Sequence, residues 1–524
     1  MVRFLFPAIC LLAGFATSCG PAATRNTQQD SLVYGRGGDS VSLDPGMLED
    51  GESFKVAAQI FEGLVRFKDD SLEVEPWLAE RYEVAEDGIT WTFYLREGVL
   101  FHDGTPFDAE SVVTSFMRMI DPNHPHHRAG RMPYADYCVT PFVKEVTAID
   151  THTVQILLHR PYGPFLKTLT MFCFYIVSPQ ALERFGEDFA FNPVGTGPYK
   201  FVSWERNASI ELRRNENYWG PPAKTERVFF RSIPAGQVRL FSLERGEINI
   251  MDGIEPPDMP LLKGNKELVL HRQPGQNVGF AVLNTSRPPF DNKLVRQALN
   301  YAVDKKNLCE HLFDGLAIPA KGVLPPGIPG YDPLLPGYEF DPEKSTALFA
   351  QAGYPHGFEI EICTYSIPRP YNPMGTRLAE ILQENLARVG VRATIKQMEW
   401  AAHLEAVRNH EFTLALIGWM GDNGDPDNFM YTRLGDPNNP GLFHNDRFSQ
   451  LLAQAQETYD EAQRIEMYQE AERIVVEECP WIFLNHFEDL AVTHSSVRGL
   501  RLHPASPPRL WNVWIDHGRE TTED

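Results

Sequence analysis

Val278-Gly279-Phe280-Ala281-Val282-Leu283-Asn284 and, far downstream, Trp481-Ile482-Phe483-Leu484-Asn485 are two apolar, strand-like runs. The first follows Pro274-Gly275 and the second follows Pro480, so each is entered through a break in regular structure. A chain of 524 residues is too long for a single core, and two or three lobes are expected. These runs are the candidate crossings between lobes. Crossing there assigns 276–484 to a second lobe and leaves a discontinuous first lobe, 31–275 and 485–524, carrying an inserted subdomain at about 66–190.

Outward from these runs, strand-like and helix-like patterns alternate without a strict βαβ repeat, which predicts a mixed α/β fold. Ser31 to Tyr34, Trp91 to Leu95 and Thr153 to Leu157 read as strands. Ala109 to Met119 reads as a helix capped by Asp108. Asp341-Pro342-Glu343 supplies a cap and a first-turn proline for a helix running to Ala352 and ending at Gly353. Leu378, Ile381, Leu382 and Leu386 recur at helical spacing, and Gly390 closes that helix before the strand-like Val391 to Ile395.

The composition is that of an ordinary globular protein, and Asp plus Glu (70) exceed Lys plus Arg (48) for a net charge of −22. A polyanion needs a basic footprint that this chain lacks, so nucleic acid is not an expected partner. Residues 1–19 differ in kind: Arg3, an apolar run from Phe4 to Phe15, then Ala16-Thr17-Ser18-Cys19. This reads as an export signal too short to span a bilayer. The polar stretch 20–30 reads as a flexible tether. Cys138, Cys173, Cys309, Cys363 and Cys479 form an odd set without Cys-x-x-Cys, so no zinc knuckle is expected, and Cys138 with Cys173 is a candidate disulfide.

Two segments carry charge and aromatics in a pattern that suits a zwitterion. Arg369-Pro370-Tyr371-Asn372-Pro373 sets a guanidinium beside an aromatic. Gly418-Trp419-Met420-Gly421-Asp422-Asn423-Gly424-Asp425-Pro426-Asp427-Asn428 sets a carboxylate between glycines and an aromatic. A guanidinium fork holds a carboxylate, and a carboxylate holds an ammonium, so the pair suits a free amino acid or short peptide. Read locally, the second segment is equally turn chemistry.

Three ordered segments look like signatures of the extracytoplasmic solute-binding proteins of peptide-type ABC importers, family 5. They are Leu78 to Gly88 with Thr92 to Val99 and Phe101 to Phe107; Asn192 to Tyr199 with Asn217 to Gly220; and Val295 to Asp304. The resemblance runs from about Leu32 to about Asn512, and the RPYNP and GW-x-GDNGDPDN segments most resemble the family's dipeptide receptors. It implies a two-lobed periplasmic-binding-protein fold, type II-like, with an extra subdomain in the first lobe. It further implies a non-enzymatic, cofactor-free monomer that captures short peptides, dipeptides first, and delivers them to an ABC permease. By the same resemblance Arg369 binds a peptide carboxylate and Asp422 its α-ammonium. Trp400 falls at a pocket tryptophan, and Tyr371 and Trp419 are nearby aromatic candidates. The loop 35–45 stands where a ligand-facing loop is expected, with Asp39 and Ser40 as candidate contacts. Cys19 resembles a lipobox cysteine, with Ala16 in place of the usual leucine, implying an extracytoplasmic, membrane-anchored protein.

Haem, glutathione and longer or cationic peptides are bound by relatives and stand as alternatives. A secreted hydrolase is the alternative from another class; the chain has no G-x-S-x-G, H-E-x-x-H or G-x-x-x-x-G-K-[ST] motif. A third alternative is a lipid-anchored protein on the same fold that senses or adheres without transport. His124-Pro125-His126-His127 is the one cluster with metal-ligand character, and its flanks, Asp121-Pro122-Asn123 and Arg128, read as a solvated loop.

Overall fold

The computed structural model describes residues 31–517; the signal-like segment, the tether and Cys19 lie outside them. The large sheet is ordered Arg392–Met398, Glu359–Tyr365, Leu414–Met420, Asn277–Leu283, Trp481–His494, Ile250–Met251, Ser31–Arg36, Arg227–Ser232, Ser209–Arg214, Tyr199–Glu205. Its pivot is Trp481–His494, a strand of 14 residues. The front half of that strand pairs antiparallel with Asn277–Leu283, from Val282↔Trp481 to Gly279↔Asn485. The back half pairs with Leu268–Pro274, from Pro274↔Glu488 to Leu268↔His494. The runs 278–284 and 481–485 are therefore neighbours in the sheet. The second continues well past Asn485, because Phe487, Ala491 and Val492 each find apolar cover.

At the seam between the two pairings the backbone is tightly held. Asn277 donates its side-chain amide to the Phe487 carbonyl at 2.7 Å and accepts the Phe487 N–H at 2.8 Å. A Cβ at Gly275 would stand 2.3 Å from the Phe487 carbonyl oxygen, so only glycine fits.

A separate four-stranded antiparallel sheet, Ala79–Val84, Thr90–Leu95, Thr153–Leu158 and Val143–Asp150, forms the body of the inserted subdomain. The helix Ala109–Ile120 packs on it and begins with a capping box between Asp108 and Ser111. In the second lobe Asp341 caps Pro342–Gln351, and Leu378, Leu382 and Leu386 form the buried stripe of Gly375–Ala387.

The segments Asn192–Tyr199 and Asn217–Gly220 meet at one buried carboxylate, Glu62. It accepts from Trp77 (2.6 Å), Tyr218 (2.7 Å), Thr196 (2.8 Å) and Trp219 (3.0 Å). Four donors on one carboxylate satisfy a charge that burial alone would make costly. Gly195 and Gly197 lie flat on the Ile60 carbonyl, where a Cβ would come within 2.2 and 2.7 Å. These segments therefore hold the first lobe together and lie apart from the residues proposed to touch ligand.

All five described cysteines carry free thiols, and Cys138 and Cys173 meet through a thiol–thiol hydrogen bond of 3.4 Å, with no disulfide between them. No helix of the described residues is long and apolar enough to cross a membrane. The His124–His127 run is spent on its own loop: His124 Nδ1 accepts the His126 N–H, and His127 Nδ1 pairs with the Arg118 carbonyl. Among the described residues no three His, Cys, Asp or Glu side chains converge as metal ligands.

Candidate functional site

Asp422 follows the strand Leu414–Met420, and its surroundings separate the three aspartates of the GDNGDPDN run. Asp425 caps the helix Pro426–Met430 and holds Arg464 through two bonds of 2.8 and 3.1 Å. Asp427 accepts from Gln456 and Tyr468. Both are structural. Asp422 is clamped by Asn428, whose Oδ1 accepts the Asp422 N–H (3.0 Å) and the Trp419 indole N–H (2.9 Å). Asn428 Nδ2 reaches the Asp422 carboxylate at 3.3 Å. Burial pushes the Asp422 carboxyl up to about 6, with Asn428, the Arg433 charge and Tyr134 pulling it back. A carboxylate held short of full solvation is one that a cation stabilises.

Arg369 and Asn372 exchange backbone hydrogen bonds of 3.1 and 2.9 Å, which makes Pro370-Tyr371 the tip of a tight turn. The Arg369 guanidinium lies 4.1 Å from the centroid of Trp400, the first residue of the helix Trp400–Arg408. Tyr371 is buried against Gly418, where a Cβ would come within 2.4 Å of the ring. Gly418 is thus the residue that lets Tyr371 lie on the strand leading to Trp419 and Asp422.

Across the cleft, the first lobe contributes two tyrosines from one short segment. Tyr134 faces the Asp422 carboxylate. Tyr137, on the π-helix Ala135–Val139, meets Thr432 Oγ1 at 2.6 Å and Asn428 Nδ2 at 3.4 Å. Burial and the nearby Asp422 charge push both phenols upward, so they remain neutral. The lobes also touch farther out. Arg160 donates to Gln456 (2.8 Å), the Gly163 N–H to the Gln456 carbonyl (2.6 Å), Tyr162 to Asp427 (3.3 Å) and Tyr459 to the Gly88 carbonyl. This is a closed arrangement.

Of the residues expected at the site, Arg369, Tyr371, Trp400, Trp419 and Asp422 lie together on the second lobe. Asp39 and Ser40, by contrast, have their side chains engaged within the first lobe. Asp39 accepts from Arg36 (3.1 Å), Trp204 Nε1 (3.1 Å) and the Asn207 N–H (2.7 Å). Ser40 accepts from Arg36 at 2.7 Å. The buried Arg36 needs both as partners, and their side chains are taken up within the first lobe. Tyr134, Tyr137, Asn428 and Arg433 escaped the sequence reading. Only Asn428, inside the quoted run, had a local signal.

A cleft with an acid, two guanidiniums and aromatics on one lobe and tyrosines on the other defines a two-lobed receptor for a small polar ligand. The chain belongs to the bacterial extracellular solute-binding proteins, family 5, whose description (Bacterial extracellular solute-binding proteins, family 5 Middle) matches residues 73–441. It is 34% identical over 518 residues to heme-binding protein A of Haemophilus influenzae, covering 95% of each chain. It is 33% identical over 511 residues to the dipeptide-binding protein of Escherichia coli, covering 94% of this chain and 96% of that one. The periplasmic binding protein DppA of Helicobacter pylori, solved with the peptide STSA, matches with a TM-score of 0.82 at 32% identity, over 93% of this chain and 98% of that one.

Proposed function

We propose that this protein captures short peptides, dipeptides first, outside the cytoplasm and hands them to the permease of an ABC importer, without performing chemistry on them. The observation that carries this reading is the pairing of Asp422 and Arg369 on one lobe, each beside an aromatic, with Tyr134 and Tyr137 closing from the other. Asp422 suits the α-ammonium and Arg369 the α-carboxylate. A peptide bridging the lobes stabilises closure by the contacts that exist only when the cleft is shut, with Gly275, Gln276 and the middle of Trp481–His494 as the hinge. The protein acts as a monomer, and lipidated Cys19 with the tether 20–30 holds it at the membrane.

A haem is the second reading, favoured by the similarity to heme-binding protein A. It offers two carboxylates but no ammonium, and would leave Asp422 without a partner. Native mass spectrometry of the purified protein decides between them. A di- or tripeptide mixture is expected, recovered intact after long incubation. Recovery of haem with its absorbance band, or of cleaved peptide, overturns the reading. Cys19→Ser should release the protein from membranes; a wild-type protein found soluble, with another N-terminus, removes the anchor.

A further inference from the structure

The cleft holds one more charge than a zwitterion requires. Arg433 lies on the π-helix Tyr431–Gly435, with its guanidinium 3.6 Å from the centroid of the Trp419 ring. Its nearest electrostatic neighbours are Tyr137, Asp422, Tyr371 and Tyr134, so it sits between the lobes at the centre of the candidate site. Yet among the described residues its side chain makes no hydrogen bond and no ion pair, and its Nε is shut off from solvent without an acceptor. An unpartnered Nε is shared by Arg36 and Arg118, but those guanidiniums each hold a carboxylate, Arg118 with Asp44 and Arg36 with Asp39, as Arg464 does with Asp425; Arg433 has none. A guanidinium carries five donors in a fixed fork, and leaving them unmet in an enclosed place is costly.

The neighbours cannot supply the missing anion. Tyr371, Tyr134 and Tyr137 have phenols pushed upward by burial and stay neutral. Asp422 is the remaining acid, and a bound α-ammonium occupies it. With Arg369 matched to the ligand's C-terminal carboxylate, the site has two cations and one anion, and its complement is a ligand of net charge −1.

We propose that Arg433 is a second anion-binding group of the cleft, and that the preferred ligand is a peptide carrying a carboxylate beyond its C-terminal one. The proposal rests on the peptide reading above. Stacking on Trp419 holds the guanidinium plane in place before the ligand arrives, so little freedom remains to be lost on binding. A neutral side chain in the same place leaves the fork unpaired, and a cationic one is repelled.

The test is titration calorimetry at neutral pH with the isosteric pairs Ala-Glu and Ala-Gln, and Glu-Ala and Gln-Ala. At least one acidic peptide should bind about tenfold or more tightly than its amide counterpart, the scale of a charge-assisted pair. In Arg433→Met, with folding checked by the ligand-free melting curve, that ratio should collapse towards one. Equal affinities of both pairs for the wild-type protein overturn the inference while leaving the peptide reading intact. So does a preference that survives in Arg433→Met. Should none of the four bind, the peptide reading falls and the inference with it.

Discussion

The Arg369 guanidinium carbon stands 4.1 Å above the Trp400 ring, and Trp400 in turn meets the buried Tyr365 edge-on, with ring centroids 5.1 Å apart. A flexible cation is thereby fixed by an aromatic that is itself fixed by the core. Arg369→Ala should abolish dipeptide binding, at a cost of at least about 2 kcal/mol, with the ligand-free melting temperature near wild type. Trp400→Ala should weaken binding by roughly 1 kcal/mol through the lost stacking. A C-terminally amidated dipeptide should reproduce the Arg369 loss in the wild-type protein. Amidated and free dipeptides binding equally well would remove Arg369 from its role.

Asp422 makes both peptide binding and stability depend on pH, in opposite senses. Its carboxyl is raised from 3.8 to about 6 in the folded protein, and the ligand ammonium needs it ionised, so peptide affinity should fall as pH drops through about 6. For the ligand-free protein the same shift runs the other way. The folded state binds the Asp422 proton more tightly than the unfolded one, so the ionised group costs stability above about 6, and the cost fades towards 3.8. Asp422→Asn should therefore lose peptide binding yet unfold no more readily than wild type at pH 7, with a gain on the order of 1 kcal/mol after allowance for partial exposure. An affinity that is flat from pH 7.5 to 5 would argue against this assignment.

Asp39 and Asp44 are expected to act on stability alone. Arg118 takes Asp44 through two bonds of 2.8 and 2.6 Å, both side chains almost fully buried. Truncating one member of a buried pair strands the other, so Asp44→Ala should cost about 3–5 kcal/mol. Asp39→Ala, which leaves Arg36 and Trp204 short of an acceptor, should likewise lower the melting temperature. Neither should change dipeptide affinity measured well below the transition. A selective loss of affinity in Asp39→Ala would return that residue to the ligand site.

Much of this was legible in the chain because the responsible interactions are local. Asp108 and Asp341 announce their helices by capping chemistry that acts within three residues. Arg369 and Asp422 sit in short segments whose pattern carries the family resemblance. What escaped was set by distance. Tyr137 lies on the short π-helix Ala135–Val139 and Tyr134 just before it, with no periodic pattern, and they matter only because the inserted subdomain folds across to meet Thr432 and Asn428. Arg433 looks like a surface cation on a polar turn until the lobes enclose it. Asp39 and Ser40 read as ligand-facing because nothing near them in sequence reveals that Trp204 and Asn207 take up the Asp39 carboxylate.

Contacts remote from the ligand should also tune affinity. Arg160, on the first lobe, donates to Gln456 on the second at 2.8 Å, a bond available only when the lobes meet. Arg160→Ala should weaken dipeptide binding several-fold, on the order of 1 kcal/mol, while the ligand-free melting curve stays near wild type. Small-angle scattering should show a smaller radius of gyration when peptide is added to the wild-type protein, and a less complete change in the variant. An unchanged affinity would mean that these contacts persist in the open protein.

The strand Trp481–His494 is made late in the chain, and its partners in both lobes were made long before it. Neither half of the large sheet can close until the last tenth of the protein is present. Pairings of such sequence separation form slowly, so completion of both lobes waits on the same late strand. A chain ending at Pro480 should accordingly show no cooperative melting in either lobe, and a lobe that still melted cooperatively would show that it folds without this strand.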